Sequence, residues 1–89
     1  MVLCNTYMVE GTVSDSCAMP DSGISFLRIV TKTRAGDDVE VGVATNDYTD
    51  LVAAYAKKET RVKVVAEWTR VGFRALHVAF PDMGKEVRE

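Results

Sequence analysis

The chain has 89 residues, 47% of them hydrophobic and 27% charged, with a formal net charge of −2. That length fits a single domain spanning 1–89, and that composition belongs to a globular protein, not a disordered one. No stretch approaches the roughly 20 apolar residues of a membrane span, and an acidic chain has no global attraction for polyanions.

The N-terminal "MVLCNTYMVEG" lacks a basic n-region and a long apolar core, so it does not read as a signal peptide and a cytoplasmic protein is expected. Cys4 and Cys17 are then expected as reduced thiols, with a disulfide between them as the alternative. Two cysteines and one histidine fall short of the about four soft ligands of a closed zinc site, so no metal is expected.

"TYMVEGTVS", residues 6–14, alternates Tyr7, Val9, Gly11 and Val13 against Met8, Glu10, Thr12 and Ser14. Period two predicts a half-buried strand. Gly11 inside it predicts a bulge or a close backbone approach. "DSCAMPDSG", residues 15–23, crowds Asp, Ser, Pro and Gly together and reads as a loop, long for a hairpin. "ISFLRIVTKT", residues 24–33, predicts a second strand. Ser25, Leu27, Ile29 and Thr31 share one face, and Phe26, Arg28, Val30 and Lys32 the other. After the turn "RAGDD", the segment 39–45 predicts a third strand with Val39, Val41 and Val43 inward.

The period then changes. Tyr48, Leu51, Val52 and Tyr55 lie at i, i+3, i+4 and i+7, which predicts an amphipathic helix of about three turns. Asn46 suits its N-cap, Asp47 and Asp50 its first turn, and Lys57 and Lys58 its end. "TRVKVVAEWT", residues 60–69, predicts a fourth strand with Val62, Val64 and Ala66 on one face. "RVGF" reads as a tight turn with Gly72 in its third position. "FRALHVAF", residues 73–80, predicts the fifth strand. The ordered core is expected over about 5–81, with 82–89 a polar tail.

The order β-β-β-α-β-β, with short strands whose edges need covering, fits a mainly β, five-stranded Greek-key barrel of the OB-fold type, with one helix between strands 3 and 4. An open α+β sheet with the helix on one face fits the same pattern.

Catalytic chemistry finds little support. His77 is the only histidine and falls mid-strand. Neither cysteine is near it in sequence. The carboxylates fall in turns and at a helix start, and no phosphate-cradling glycine loop is present. A non-catalytic protein without a cofactor is expected.

Binding chemistry finds more. An OB barrel uses the outer face of strands 2 and 3, with the loops joining strands 1 to 2 and 4 to 5. Here strand 2 carries Phe26, Arg28 and Lys32, and the hairpin of strands 4 and 5 carries Trp68, Arg70, Phe73 and Arg74. Aromatic rings stack on unpaired bases, and cations neutralise phosphates. Charge is polarised in the same sense: residues 57–74 hold six basic and two acidic side chains, whereas 37–50 holds five acidic and no basic ones. Trp68 fits equally a core position at the barrel's end, and the spacing of Tyr48 and Tyr55 matches helix-to-barrel packing.

On "VEGTVSD", "SGISFLRIVTKT" and "YAKKETRVKVVAEW" the chain resembles the bacterial single-stranded DNA-binding proteins and the related primosomal replication protein. The resemblance covers most of 6–80 as pattern. It implies an OB fold, binding of single-stranded DNA, no cofactor, and assembly as dimers or tetramers. It carries over Phe26, Arg28, Lys32, Trp68, Arg70, Phe73 and Arg74 as candidates. The sequence departs from that family in its seven aromatics and in "FPDMGKEVRE", which lacks an acidic, partner-recruiting tail. The expectation is binding to single-stranded nucleic acid, DNA above RNA, weakening steeply with salt. A second expectation, favoured by the negative charge, is a protein-interaction module within a replication or phage assembly. A small ligand or oligosaccharide on the same face is the third.

Overall fold

The computed structural model describes residues 5–19, 21–83 and 85–86. Five strands, β1 (Thr6–Met19), β2 (Ile24–Lys32), β3 (Asp38–Thr45), β4 (Arg61–Thr69) and β5 (Gly72–Phe80), run in the order β3-β2-β1-β4-β5. A parallel pairing of Val43 with Phe73 and of Ala44 with Arg74 joins β3 to β5. The sheet thereby closes into an OB-like barrel, and helix α1 (Thr49–Tyr55) lies between β3 and β4. Among the described residues no helix is long and apolar enough to cross a membrane.

β1 makes closure work because it belongs to two pairings. Its first half, Thr6 to Thr12, pairs with β4, and its second half, Thr12 to Met19, with β2. The register shifts between Val13 and Asp15, so Ser14 is the extra residue of a bulge that bends the strand. Gly11 sits at the crossing. A Cβ there would lie 1.9 Å from the Val30 carbonyl oxygen, so the glycine is required by a close backbone approach.

The predicted faces of β2 and β4 hold. Ser25, Leu27 and Ile29 point inward from β2, and Val62, Val64 and Ala66 from β4. The apolar ones among them cluster with Val9, Val13, Val43, Val78 and Phe80, and with Val52 and Ala56 at the helix. Each fully buried Val or Leu contributes about 1.5–3 kcal/mol. Phe80, completely buried, is the largest side chain of this core. Tyr48 and Tyr55 pack against it as their spacing predicts. The Tyr48 hydroxyl also donates to the Leu76 carbonyl, and Tyr55 sits 6.1 Å from the Phe80 ring.

Four local expectations are corrected. Residues 15–19 are strand, not loop, because β2 supplies a partner for each from Asp15 to Met19. Only a short turn follows, closed by the Ser22 and Gly23 N–H groups donating to the Met19 carbonyl, with Gly23 at φ 72°. The helix is seven residues long. Its N-cap is Tyr48, without a side-chain cap, and the Asn46 carbonyl instead accepts the Thr49 hydroxyl. It ends before Lys57 and Lys58 because β1 captures the chain: Glu59 N–H donates to Val13 O at 2.7 Å, and Val13 N–H to Thr60 O at 2.9 Å. Glu59 turns through φ 68° to do so. Val39, expected inward, is exposed, since β3 there extends beyond the core. Of the segment expected as a tail, the described residues form a 3-10 turn, Pro81–Met83, and a short strand β6 (Lys85–Glu86) paired with Ala79 and Phe80.

Candidate functional site

Cross-strand register sets what the outer face of β1, β2 and β3 displays. Cys17, Phe26 and Ala44 form one row across the three strands. Asp15, Arg28 and Gly42 form the next. Lys32 faces Asp38 near the far end of the β2–β3 ladder. The residues on β3 in the first two rows are small, so Phe26 stands over a shelf and is 47% exposed. The β4–β5 hairpin overhangs this shelf. Between them lies an open cleft of about 310 Å³, walled by Asp15, Cys17, Phe26 and Arg28 on the sheet side and by Val71 and Phe73 on the hairpin side.

The hairpin is tight. Thr69 pairs with Gly72 and Trp68 with Phe73, so Arg70 and Val71 alone cross the turn. Gly72 is thus a strand residue beside the turn, at φ 122°, rather than the turn's third residue. The Thr69 hydroxyl donates to the Gly72 carbonyl at 2.6 Å and accepts the Val71 N–H at 3.2 Å, which holds the tip. Val71 is 97% exposed and lines both the cleft and a neighbouring hollow formed with Asn5, Trp68, Thr69 and Arg70.

Trp68 lies on the strand face that continues inward as Ala66 and Val64, yet it sits past the barrel's mouth and is 53% exposed. Its ring meets Phe73 edge-on at 4.9 Å, and Phe73 meets Tyr7 edge-on at 5.5 Å. Such contacts hold rings in place and add about 0.5–1.5 kcal/mol each. Of the two alternatives for Trp68, core filler or surface ring, the structure has the surface ring, because Phe80 fills the core.

The expected cations are less free than their count suggests. Arg28 Nε lies 3.8 Å from Glu40 Oε1, and Lys32 Nζ donates to Asp38 Oδ1 at 2.8 Å. Arg74 donates to Glu67 Oε1 through Nε at 3.1 Å and Nη2 at 2.8 Å. These pairs are solvent-exposed, so each contributes little to stability, about 0–1 kcal/mol, and can open. Among the described residues Arg70 makes no ion pair.

Of the seven expected site residues, the structure brings Phe26, Arg28 and Phe73 to one cleft, with Trp68 and Arg70 in the hollow next to it. Lys32 lines a separate groove with Met8 and Glu10, and Arg74 faces the start of the helix beside Asp47 and Tyr48. Val71, Asp15, Cys17 and Tyr7 were missed. Asp15 and Cys17 were hidden by the loop-like composition of their segment. Val71 had a signal, an apolar residue in a two-residue turn. Cys17 carries a free, exposed thiol, and its relation to Cys4 lies outside the described residues. His77 is half-buried opposite Val65. Among the described residues no three His, Cys, Asp or Glu side chains gather as a metal site.

Compared with protein-family models and with curated proteins, the chain matches none.

Proposed function

We propose that this barrel binds single-stranded nucleic acid, DNA above RNA, without catalysing a reaction. One observation carries the reading: two exposed rings, Phe26 on the sheet and Trp68 on the hairpin, stand at adjoining hollows that share Val71. Bases stack on such rings whatever their sequence, because every base has a π-face. Phe73 backs Trp68 edge-on and keeps that ring presented. Arg70 meets a phosphate directly, whereas Arg28 is held back from one by its pairing with Glu40. Lys32 and Arg74 lie outside this path and are not part of the proposed site.

No chemical step enters the reading. The reading includes a cytoplasmic role in DNA replication as a homo-oligomer, a dimer or tetramer, for which exposed Met8 and Val39 offer apolar surface away from the cleft.

Anisotropy of a labelled mixed-sequence single strand, with Trp68 fluorescence followed in parallel, tests the proposal. Binding at low salt that weakens as salt rises supports it. No binding at low salt overturns it. A second reading, a protein-interaction module, is favoured by one observation: three of the four expected phosphate contacts, Arg28, Lys32 and Arg74, face carboxylates. A near-neutral, partly apolar face suits a protein surface.

A further inference from the structure

We propose that the cleft selects bases carrying an exocyclic amine, cytosine above thymine, with Asp15 as the acceptor that reads it. This rests on the nucleic-acid reading above and concerns which base enters the cleft.

Two rows on the outer face set the geometry. Asp15, Arg28 and Gly42 run beside Cys17, Phe26 and Ala44, two residues further along each strand. Rows so related are about 6.6–6.8 Å apart. A base stacked on Phe26 therefore extends its edge toward the Asp15 row. On the β3 side that edge meets open space, because a Cβ placed on Gly42 would touch nothing within 4 Å.

The polar groups lining the cleft then sort themselves. The Ser16 hydroxyl donates to the Ala56 carbonyl at 2.8 Å and is committed to the helix end. Arg28 is drawn toward Glu40, which the Ser14 hydroxyl approaches at 3.1 Å. The Cys17 thiol is a weak hydrogen-bonding group. Asp15 remains. Its Oδ1 accepts the Ser16 N–H at 2.9 Å, which fixes the carboxylate's orientation, and among the described residues it makes no ion pair. Its other oxygen accepts no hydrogen bond from the described residues, and Asp15 lines the cleft.

An ionised carboxylate only accepts hydrogen bonds. Cytosine presents an N4 amine donor, the group with which Asp and Glu pair. Thymine presents its O4 acceptor at the same place, lone pair against lone pair. Stacking on Phe26 is equal in kind for both pyrimidines, so the discrimination falls on Asp15.

The test compares labelled deoxycytidine and thymidine homopolymers of equal length by anisotropy, at low salt and mildly alkaline pH, on the full chain and its Asp15→Asn variant. The wild type is expected to bind the deoxycytidine strand about threefold to tenfold more tightly. The variant keeps the oxygen that accepts Ser16 N–H and gains an amide donor able to meet O4, so the preference is expected to vanish or invert. Loss of a negative charge strengthens binding to both strands alike, which is why the ratio is the readout. Equal affinities in the wild type overturn this inference and leave the binding reading standing. A deoxycytidine preference unchanged by Asp15→Asn also overturns it. Absence of binding to either strand overturns both.

Discussion

The sheet wall of the cleft and its hairpin wall are built from the same residue types and differ in what neighbours do to them. On the sheet, Phe26 and Arg28 stand on β2 between two bonded strands, and the register supplies Glu40 within reach of Arg28. On the hairpin, Trp68 and Phe73 are paired but Arg70 and Val71 cross a turn with no strand alongside. A sheet interior gives each side chain diagonal and cross-strand partners at about 4.5–8 Å, so charges there tend to be met. A two-residue turn gives none. Of the arginines at these two walls, Arg70 is therefore available to a ligand at the tip, whereas Arg28 is committed on the sheet.

The largest expected effect removes the wall altogether. Gly11→Ala places a methyl group against the Val30 carbonyl, where a Cβ would sit at 1.9 Å. Backbone atoms cannot rotate away, so β1 and β2 must part where the strand bends into its bulge. A loss of about 3 kcal/mol or more is expected in urea unfolding. Gly42→Ala, at a site with open space above it, should cost far less on the same sheet. Equal stability of the two variants would show that the β1–β2 crossing is not what holds the cleft wall.

Next in size is the contribution of each wall to binding. Phe26→Ala and Trp68→Ala each remove an exposed ring, so their folded stability should change little. Each should weaken binding to a single strand by about 1–3 kcal/mol if it stacks one base. The double variant decides whether the walls act on one strand. Losses that add point to two separately stacked bases, whereas a double variant no worse than the weaker single one would place both rings against the same base.

How much of this was readable beforehand depended on whether a feature is local. The faces of β2 and β4 follow from strict alternation, and Leu27, Ile29, Val62 and Val64 lie where that alternation puts them. The stripe of Tyr48, Val52 and Tyr55 likewise marked the helix. Its end did not show, since Lys57 and Lys58 continue a good helical pattern. It is the long-range pairing of Glu59 and Thr60 with Val13 that stops it. Asp15, Ser16 and Cys17 have the composition of a loop, and only β2 makes them strand. The pairing of Arg28 with Glu40 depends on the β2–β3 register, which residue types alone do not specify. Hence candidate rings were found, while the state of the charges beside them was not.

The smallest expected effect tests that state directly, through the dependence of binding on salt. Each phosphate neutralised on a single strand contributes about −0.7 to the slope of log affinity against log salt. If Arg70 alone engages, the wild-type slope is about −0.7; were all four expected cations to engage, it would be about −2.8. Arg70→Ala should therefore remove most of the slope, and Arg28→Ala little of it. Glu40→Gln supplies the reverse case. It keeps the side chain's shape and its contact with Ser14 while releasing Arg28 from its ion pair. The slope should steepen by about 0.7, with a gain of a few-fold in affinity at low salt that fades as salt rises. The variants are expected to fold as the wild type does, because an exposed pair at 3.8 Å holds little of the fold together. A slope unmoved by Glu40→Gln but flattened by Arg70→Ala would mean that the wall offers a ring and no charge even when its arginine is free. The phosphate path would then run over the hairpin tip alone.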